Sequence, residues 1–376
     1  MTHVFVVDQT TFKYHLEYLF AGTGAKDKTS PFLANANINY NSTTERMLVG
    51  MIADISRIRL GDKVVFYLQA NGSSSGSFFG VFRVASNPFF DENDFNNYLQ
   101  SFTNKGLSFR VLIEADEVYA KGITEHEYLD SLQGKSHPYD LCWSLIYRKL
   151  KGNRGCTMIM DYEFDDLLNK LRIKNNNVCL TGNNFTFNAT TYEIVTCNMN
   201  NPYLGRRNQL DILPRLIYKN SRNNAFETHL QAYITKNFNS GNLANLLLSV
   251  RNQECWIGNE VSCGVGMQRI DVMLKQETDT DVYIRLIELK DEAPYLAIIQ
   301  YQLPWYLEWL SYYVLPKYTG KNIHVIPTII GKGPLSNALL TAYQEFAYNI
   351  PGANVSPLEY IGFDVTATAI NFTRYL

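Results

Sequence analysis

The amino-acid sequence predicts a mixed α/β fold, of the α+β kind, in two domains. The 376 residues suit two domains of ordinary size, each able to bury its own core. Short β-like runs alternate with helical stretches and show no fixed-period repeat, which argues against solenoids and propellers. The texture also changes near residue 176, where an Asn- and Thr-rich stretch divides the chain.

Composition narrows the class further. Hydrophobic residues make up 46% and charged residues 19%, and 34 basic groups nearly cancel 36 acidic ones for a net charge of −2. This is the composition of a folded chain rather than a polybasic one, so any contact with nucleic acid must come from a local groove. No stretch reaches the roughly 18 uninterrupted apolar residues of a membrane span, and MTHVFVVDQTT has neither the cationic nor the apolar region of a secretory signal. Cys142, Cys156, Cys179, Cys197, Cys255 and Cys263 contain no CxxC pair, and the six histidines fall in no HExxH or zinc spacing. These features read as reduced thiols in a cytoplasmic protein without a membrane partner.

In the first domain, residues 1–175, His3–Val7, Lys63–Gln69, Phe78–Val84 and Ser108–Glu114 read as strands, and Thr44–Ile58 and Tyr162–Leu171 as helices. Residues 176–205 read as a connecting β-hairpin, built from Phe185–Phe187 and Tyr192–Val195 and closed by turn signals at Asn201-Pro202 and Gly205. The second domain, residues 206–376, opens with Leu213, Leu216 and Ile217, then Phe226, Leu230 and Ile234, at helical spacing. Val261–Leu274 and Val282–Leu289 follow as strands joined by the polar stretch Lys275–Asp281. Ala293–Leu310 reads as a long aromatic helix, Ile323–Ile330 as a strand and Ala338–Tyr348 as a helix.

One constellation in the second domain carries chemistry. Along Val282–Lys290 alternate side chains share a face, so an apolar line ends in Glu288 and Lys290, about 6 to 7 Å apart by strand rise. The preceding strand can bring Asp271 beside Glu288. Two clustered carboxylates repel unless a cation lies between them, and hard oxygen donors suit Mg²⁺. With a lysine to hold or help deprotonate water, and a metal to polarise a phosphoryl oxygen, the chemistry implied is phosphodiester hydrolysis. A Glu-x-Lys triplet alone is an ordinary strand ending. The conjunction with Asp271, and with Gln302 and Tyr306 one helical turn apart on the next helix, carries the argument.

Residues 222–330 resemble the PD-(D/E)xK nucleases, specifically the RecB-like branch with an Arg-Ile-Asp … Glu-Leu-Lys core. The resemblance implies a nuclease fold with a central mixed sheet flanked by helices. It implies a metal site at Asp271, Glu288 and Leu289, and catalytic positions at Asp271, Glu288 and Lys290, with Gln302-x-x-x-Tyr306 near substrate phosphates. Glu227 and Glu260 resemble additional acidic positions. Isoleucine rather than proline precedes Asp271, a departure that leaves the carboxylate in place.

Gly61-Asp62-Lys63, then Asn71-Gly72, then Phe79-Gly80-Val81-Phe82 read as a turn, a strand, a glycine-rich loop and a strand. They resemble the YTH/EVE-like domains of the PUA-related fold over residues 3–172, which implies a β-barrel-type domain with helices. Such domains take an unstacked, often modified, base into a pocket. The positions this implies are Phe20, Gly22, Thr23, Asn71 and Trp143. The family's pocket tryptophan has no counterpart at residues 20–25, and Trp143 reads as a core residue ahead of a pocket one by its type. Arg148, Lys149, Lys151 and Arg154, with Arg206 and Arg207, have the composition of a phosphate-contacting surface, as do Arg215, Lys219 and Arg222.

The expectation is therefore a Mg²⁺-dependent endodeoxyribonuclease of restriction type. It would be modification-dependent if the first domain reads a methylated base, and would act on double-stranded DNA as a homodimer. The alternatives are a structure- or mismatch-specific repair endonuclease and a noncatalytic nucleic-acid-binding protein.

Overall fold

A computed structural model describes residues 1–24, 42–72, 74–91, 98–131, 134, 136–142, 155–264 and 268–376. These fold into two compact units, the first running to Leu210 and the second from Asp211 to Leu376, with His137–Tyr139 counted in the second. Among the described residues no helix is long and apolar enough to cross a membrane, and all six cysteines are free thiols.

The first unit is built on β1 (Thr2–Val7), β2 (Phe20–Thr23), β3 (Lys63–Leu68), β4 (Ser77–Val84), β5 (Phe89–Phe90), β6 (Phe109–Ala115), β7 (Ile123–Thr124) and β8 (Cys156–Ile159). With β11 (Asn208–Gln209) they form one sheet in the order β11-β5-β6-β4-β3-β1-β8, with β2 beside β6 and β7 beside β4. The run THVFVV is buried along nearly its whole length because β1 lies inside the sheet, parallel to β3 and antiparallel to β8. The helix Gln9–Glu17 starts where Asp8 can cap it, with Oδ1 accepting from the Thr11 amide at 2.7 Å.

The Asn- and Thr-rich stretch forms the expected hairpin, β9 (Phe185–Asn188) with β10 (Glu193–Thr196). It packs within the first unit: Phe187 meets Phe12 at 5.1 Å and Phe79 at 5.7 Å, and Phe185 meets Phe82 at 5.9 Å. The chain remains there through Leu210, because β11 pairs with β5 and the Tyr203 hydroxyl accepts from Arg110 at 2.9 Å. Phe185 and Phe187 on β9, with Ile194 on β10, are buried and make this stretch part of a core.

The second unit is a mixed seven-stranded sheet: β12 (Cys255–Ser262), β13 (Arg269–Glu277), β14 (Asp281–Leu289), β15 (Asn322–Lys332), β16 (Ala353–Val355), β17 (Glu359–Val365) and β18 (Ile370–Arg374). Their order is β12-β13-β14-β15-β17-β18, with β16 also on β15. The apolar run expected as one strand over Val261–Leu274 divides in two. Gly264, at φ +130°, adopts a backbone that side chains disfavour, and β12 and β13 pair antiparallel on either side of it. The polar connection shortens correspondingly, since β13 continues to Glu277. β14 pairs antiparallel with β13 and parallel with β15, so the run VYIRLIEL is covered by strands on both sides.

Helices Leu213–Ser221 and Glu227–Asn237 lead into this sheet, the second packing on β12, β13 and β14. The aromatic helix expected from Ala293 begins five residues later. A π-helical turn, Ile298–Gln302, precedes the α-helix Leu303–Tyr313.

Candidate functional site

The β13–β14 ladder runs from Glu277–Val282 to Val272–Ile287, so the next residues along are Asp271 and Glu288. There a side chain takes over from the ladder: the Leu289 amide donates to Asp271 Oδ2 at 2.8 Å. Lys290, one residue on, is buried with its ammonium folded back over the strand end. Its Nζ donates to Glu288 Oε1 at 2.7 Å, to the Leu289 carbonyl at 2.7 Å and to Glu227 Oε2 at 3.4 Å. Strand rise separates the Glu288 and Lys290 backbones, and the flexible lysine stem closes that gap.

Glu227 arrives from the first turn of helix Glu227–Asn237, and Tyr306 from helix Leu303–Tyr313. The Tyr306 hydroxyl lies 2.9 Å from Glu288 Oε2 and 2.8 Å from the Arg269 carbonyl, sharing one proton between two acceptors. Asp271, Glu288, Lys290, Glu227 and Tyr306 thus form one cluster, drawn from a helix, two strands and a second helix.

Three carboxylates face one ammonium, and the titration of the groups reflects this. Burial, reinforced by the charges of Glu288 and Glu227, holds the Asp271 carboxyl well above the usual carboxylate range. Burial also raises Glu227, with Lys290 opposing it. Burial by itself would lower the Lys290 ammonium, but the attraction of Glu288, Asp271 and Glu227 outweighs it and the net shift is upward. Lys290 is therefore a charged hydrogen-bond donor here. The expected role as a base toward water requires it to lose that proton, which these neighbours oppose. Burial and then the Glu288 charge raise the Tyr306 phenol, which keeps it a neutral donor.

The donor chemistry of the expected metal site, two carboxylates and the Leu289 carbonyl, is all oxygen and suits a hard divalent cation. Among the described residues, however, no three His, Cys, Asp or Glu side chains are disposed to hold a metal ion together. Glu288 Oε1 and the Leu289 carbonyl are both engaged by Lys290.

Among the described residues, Gln302 makes no hydrogen bond to that cluster, and Glu260 approaches it through Arg269 and Gln231. Glu260 pairs with Arg269, and the Gln231 amide nitrogen lies 3.3 Å from Glu260 Oε1 and 2.9 Å from the Asp271 carbonyl. Gln302 closes the π-helical turn, its Oε1 buried with no partner among the described residues. Two residues that the sequence reading did not nominate belong to the surroundings. Gln231 is one helical turn after Glu227, a spacing the sequence does display. Asp291 accepts from the amides of Phe226 and, at 3.0 Å, of Glu227, a contact across 64 residues with no local signal.

The first unit contains a cavity of about 430 Å³ whose lining includes Asp8, Gly22, Thr23, Gln69, Lys105 and Gly155. Thr23 is buried, and its hydroxyl has no partner among the described residues. Gly155 makes room for that hydroxyl, since a Cβ there would come within 2.3 Å of it. Of the nominated base-binding residues, Gly22 and Thr23 line this cavity.

Phe20 is buried outside the lining, against His15 at 4.5 Å and the Arg110 guanidinium at 4.7 Å. Asn71 is exposed and bridges to Ser74, also outside the lining. Trp143, Arg148, Lys149, Lys151 and Arg154 lie outside the described residues. Arg206 and Arg207 are exposed, whereas Arg215 is buried with its guanidinium 4.9 Å from the Tyr218 ring, which removes it from any phosphate-contacting face.

No family model and no curated protein matches this chain. Among the solved structures similar to it, three match over less than half of this chain. Human THYN1 protein in complex with 5-methylcytosine-containing DNA is 11% identical over 45% of this chain and 96% of its own, with a TM-score of 0.25. The DUF55 domain of human thymocyte nuclear protein 1 is 11% identical over 46% and 99%, with a TM-score of 0.27. A Pseudomonas putida protein is 13% identical over 46% and 99%, with a TM-score of 0.26. Likenesses this weak carry no argument about the chain.

Proposed function

We propose that the second unit is a Mg²⁺-dependent endodeoxyribonuclease of restriction type, assisted by a first unit that takes a base of the DNA into its cavity. The observation that carries the reading is the convergence of Asp271, Glu288 and Glu227 on Lys290 at the shared end of β13 and β14, with Tyr306 on Glu288. The order of elements supports it: a helix, three antiparallel strands, a helix and a parallel strand make a mixed sheet flanked by helices.

In this reading Asp271, Glu288 and the Leu289 carbonyl would hold the cation, which would supply Lewis-acid polarisation of a phosphoryl oxygen. Lys290 stays protonated and would donate to a phosphate oxygen as negative charge develops there. Tyr306 keeps Glu288 oriented. Glu227 adds an acceptor on the far side of the lysine. Cutting both strands with one such cluster per chain calls for two chains, hence a homodimer on DNA. The engagement of Glu288 and the Leu289 carbonyl by Lys290 gives a second reading, a noncatalytic DNA-binding protein, its specific support.

The test is incubation of the purified chain with Mg²⁺ and one DNA sequence, unmodified and methylated, beside an Asp271→Ala control. Discrete cutting that disappears in the control is expected, and restriction of cutting to the methylated DNA would make the enzyme modification-dependent. DNA binding with no Mg²⁺-dependent cutting of either preparation would favour the noncatalytic reading.

A further inference from the structure

The helix that carries Glu227 has no cap of its own. Its N-cap position is Phe226, whose side chain has no oxygen to offer, and no side-chain cap forms there. The first amides of a helix nevertheless need acceptors. Asp291 supplies one from a distant part of the chain: a single oxygen, Oδ2, accepts from the Phe226 amide and from the Glu227 amide at 3.0 Å. Asp291 directly follows Lys290, the residue that Glu227 must reach.

We propose that Asp291 is the positioning residue of this cluster. By capping the Glu227 helix from the strand end that carries Lys290, it fixes the distance between the Glu227 carboxylate and the Lys290 ammonium. The role rests on the nuclease reading only for its consequence in catalysis, since the geometry stands without it. The body of the helix is held on the sheet by its packing and by Gln231, while this one oxygen ties its first turn, where Glu227 sits, to the strand end that carries Lys290. Alanine at 291 frees the first turn of the helix. Asparagine keeps an acceptor oxygen of the same reach.

The experiment uses the full chain as Asp291→Ala, Asp291→Asn, Glu227→Gln and the Asp291→Ala/Glu227→Gln double variant. Crystal structures are expected to show Glu227 beyond hydrogen-bond distance of Lys290 in Asp291→Ala and within it in Asp291→Asn. In Mg²⁺-dependent cleavage, Asp291→Ala is expected to lose about 10²-fold in kcat with KM for DNA little changed, the scale of a misplaced catalytic group. Asp291→Asn should recover most of that loss, and the double variant should be no slower than Glu227→Gln alone. Retention of the Glu227–Lys290 contact in Asp291→Ala overturns the proposal, as do losses that multiply in the double variant. If the parent chain cuts no DNA, the nuclease reading falls and the crystal structures alone decide the role of Asp291.

Discussion

Replacing Lys290 by methionine removes an ammonium in contact with Glu288 and Glu227 and leaves a stem of similar volume. The magnitude depends on burial. The Glu288 side chain is 3% exposed and that of Lys290 10%, so the pair is not the surface kind worth a kcal/mol or less. Breaking a buried pair by deleting one partner leaves the other charge uncompensated and typically costs about 3–5 kcal/mol. Here Tyr306 still donates to Glu288, which places the expected loss toward the lower end, about 3 kcal/mol.

Three of the four tryptophans, Trp256, Trp305 and Trp309, lie in the second unit, so urea unfolding followed by tryptophan fluorescence in a Trp143→Phe background reports on it. The Lys290→Met/Glu288→Gln double variant carries neither charge and should regain most of the loss, because an amide is far cheaper to bury than a lone carboxylate. A Lys290→Met chain as stable as the parent would refute the reasoning, as would a double variant whose cost is the sum of the two single ones.

Other outcomes follow from the same geometry. Tyr306→Phe removes a hydrogen bond to a charged group, worth about 1.5–3 kcal/mol, so under the proposed nuclease reading kcat on plasmid DNA with Mg²⁺ should fall roughly ten- to a hundredfold. Thr23→Val replaces the unpartnered hydroxyl with a methyl group. It should leave the first unit as stable or up to about 1 kcal/mol more stable in thermal unfolding, while weakening DNA binding in a fluorescence-anisotropy titration.

Two buried histidines make the first unit acid-sensitive. Burial lowers His3 to about 4 and His15 to about 3, against about 6.5 in the unfolded chain. Both stay neutral in the fold, so stability is present above pH 6.5 and is lost as the unfolded state takes up protons below it. At pH 5 each costs about 2 kcal/mol, from 1.5 pH units at about 1.36 kcal/mol per unit. NMR titration of the two rings checks this, and a ring titrating near 6.5 in the folded chain would contradict it.

Much of the candidate site was readable because its members sit at strand and helix positions that periodicity reveals. Val282–Leu289 is apolar enough to be recognised as a strand, so the carboxylate and ammonium at its end stand out, and Asp271 follows from antiparallel pairing. Gln302-x-x-x-Tyr306 was read as one unit, yet Tyr306 reaches Glu288 whereas the Gln302 Oε1 is buried with no partner among the described residues. Spacing places two side chains one turn apart, but which of them meets a partner is decided by the strands packed against the helix.

Alternation and spacing in the sequence determined the existence of two units, most of their strands, and the acidic and basic residues at one strand end, because these are local consequences of backbone geometry. Contacts between distant segments were decided by the tertiary structure alone. The hairpin at 185–196 belongs to the first core through Phe12 and Phe79, and Asp291 caps a helix that begins 64 residues earlier. The charge state of Lys290 likewise depends on how many carboxylates the fold gathers around it and how far it excludes water, and neither quantity is written in the order of the residues.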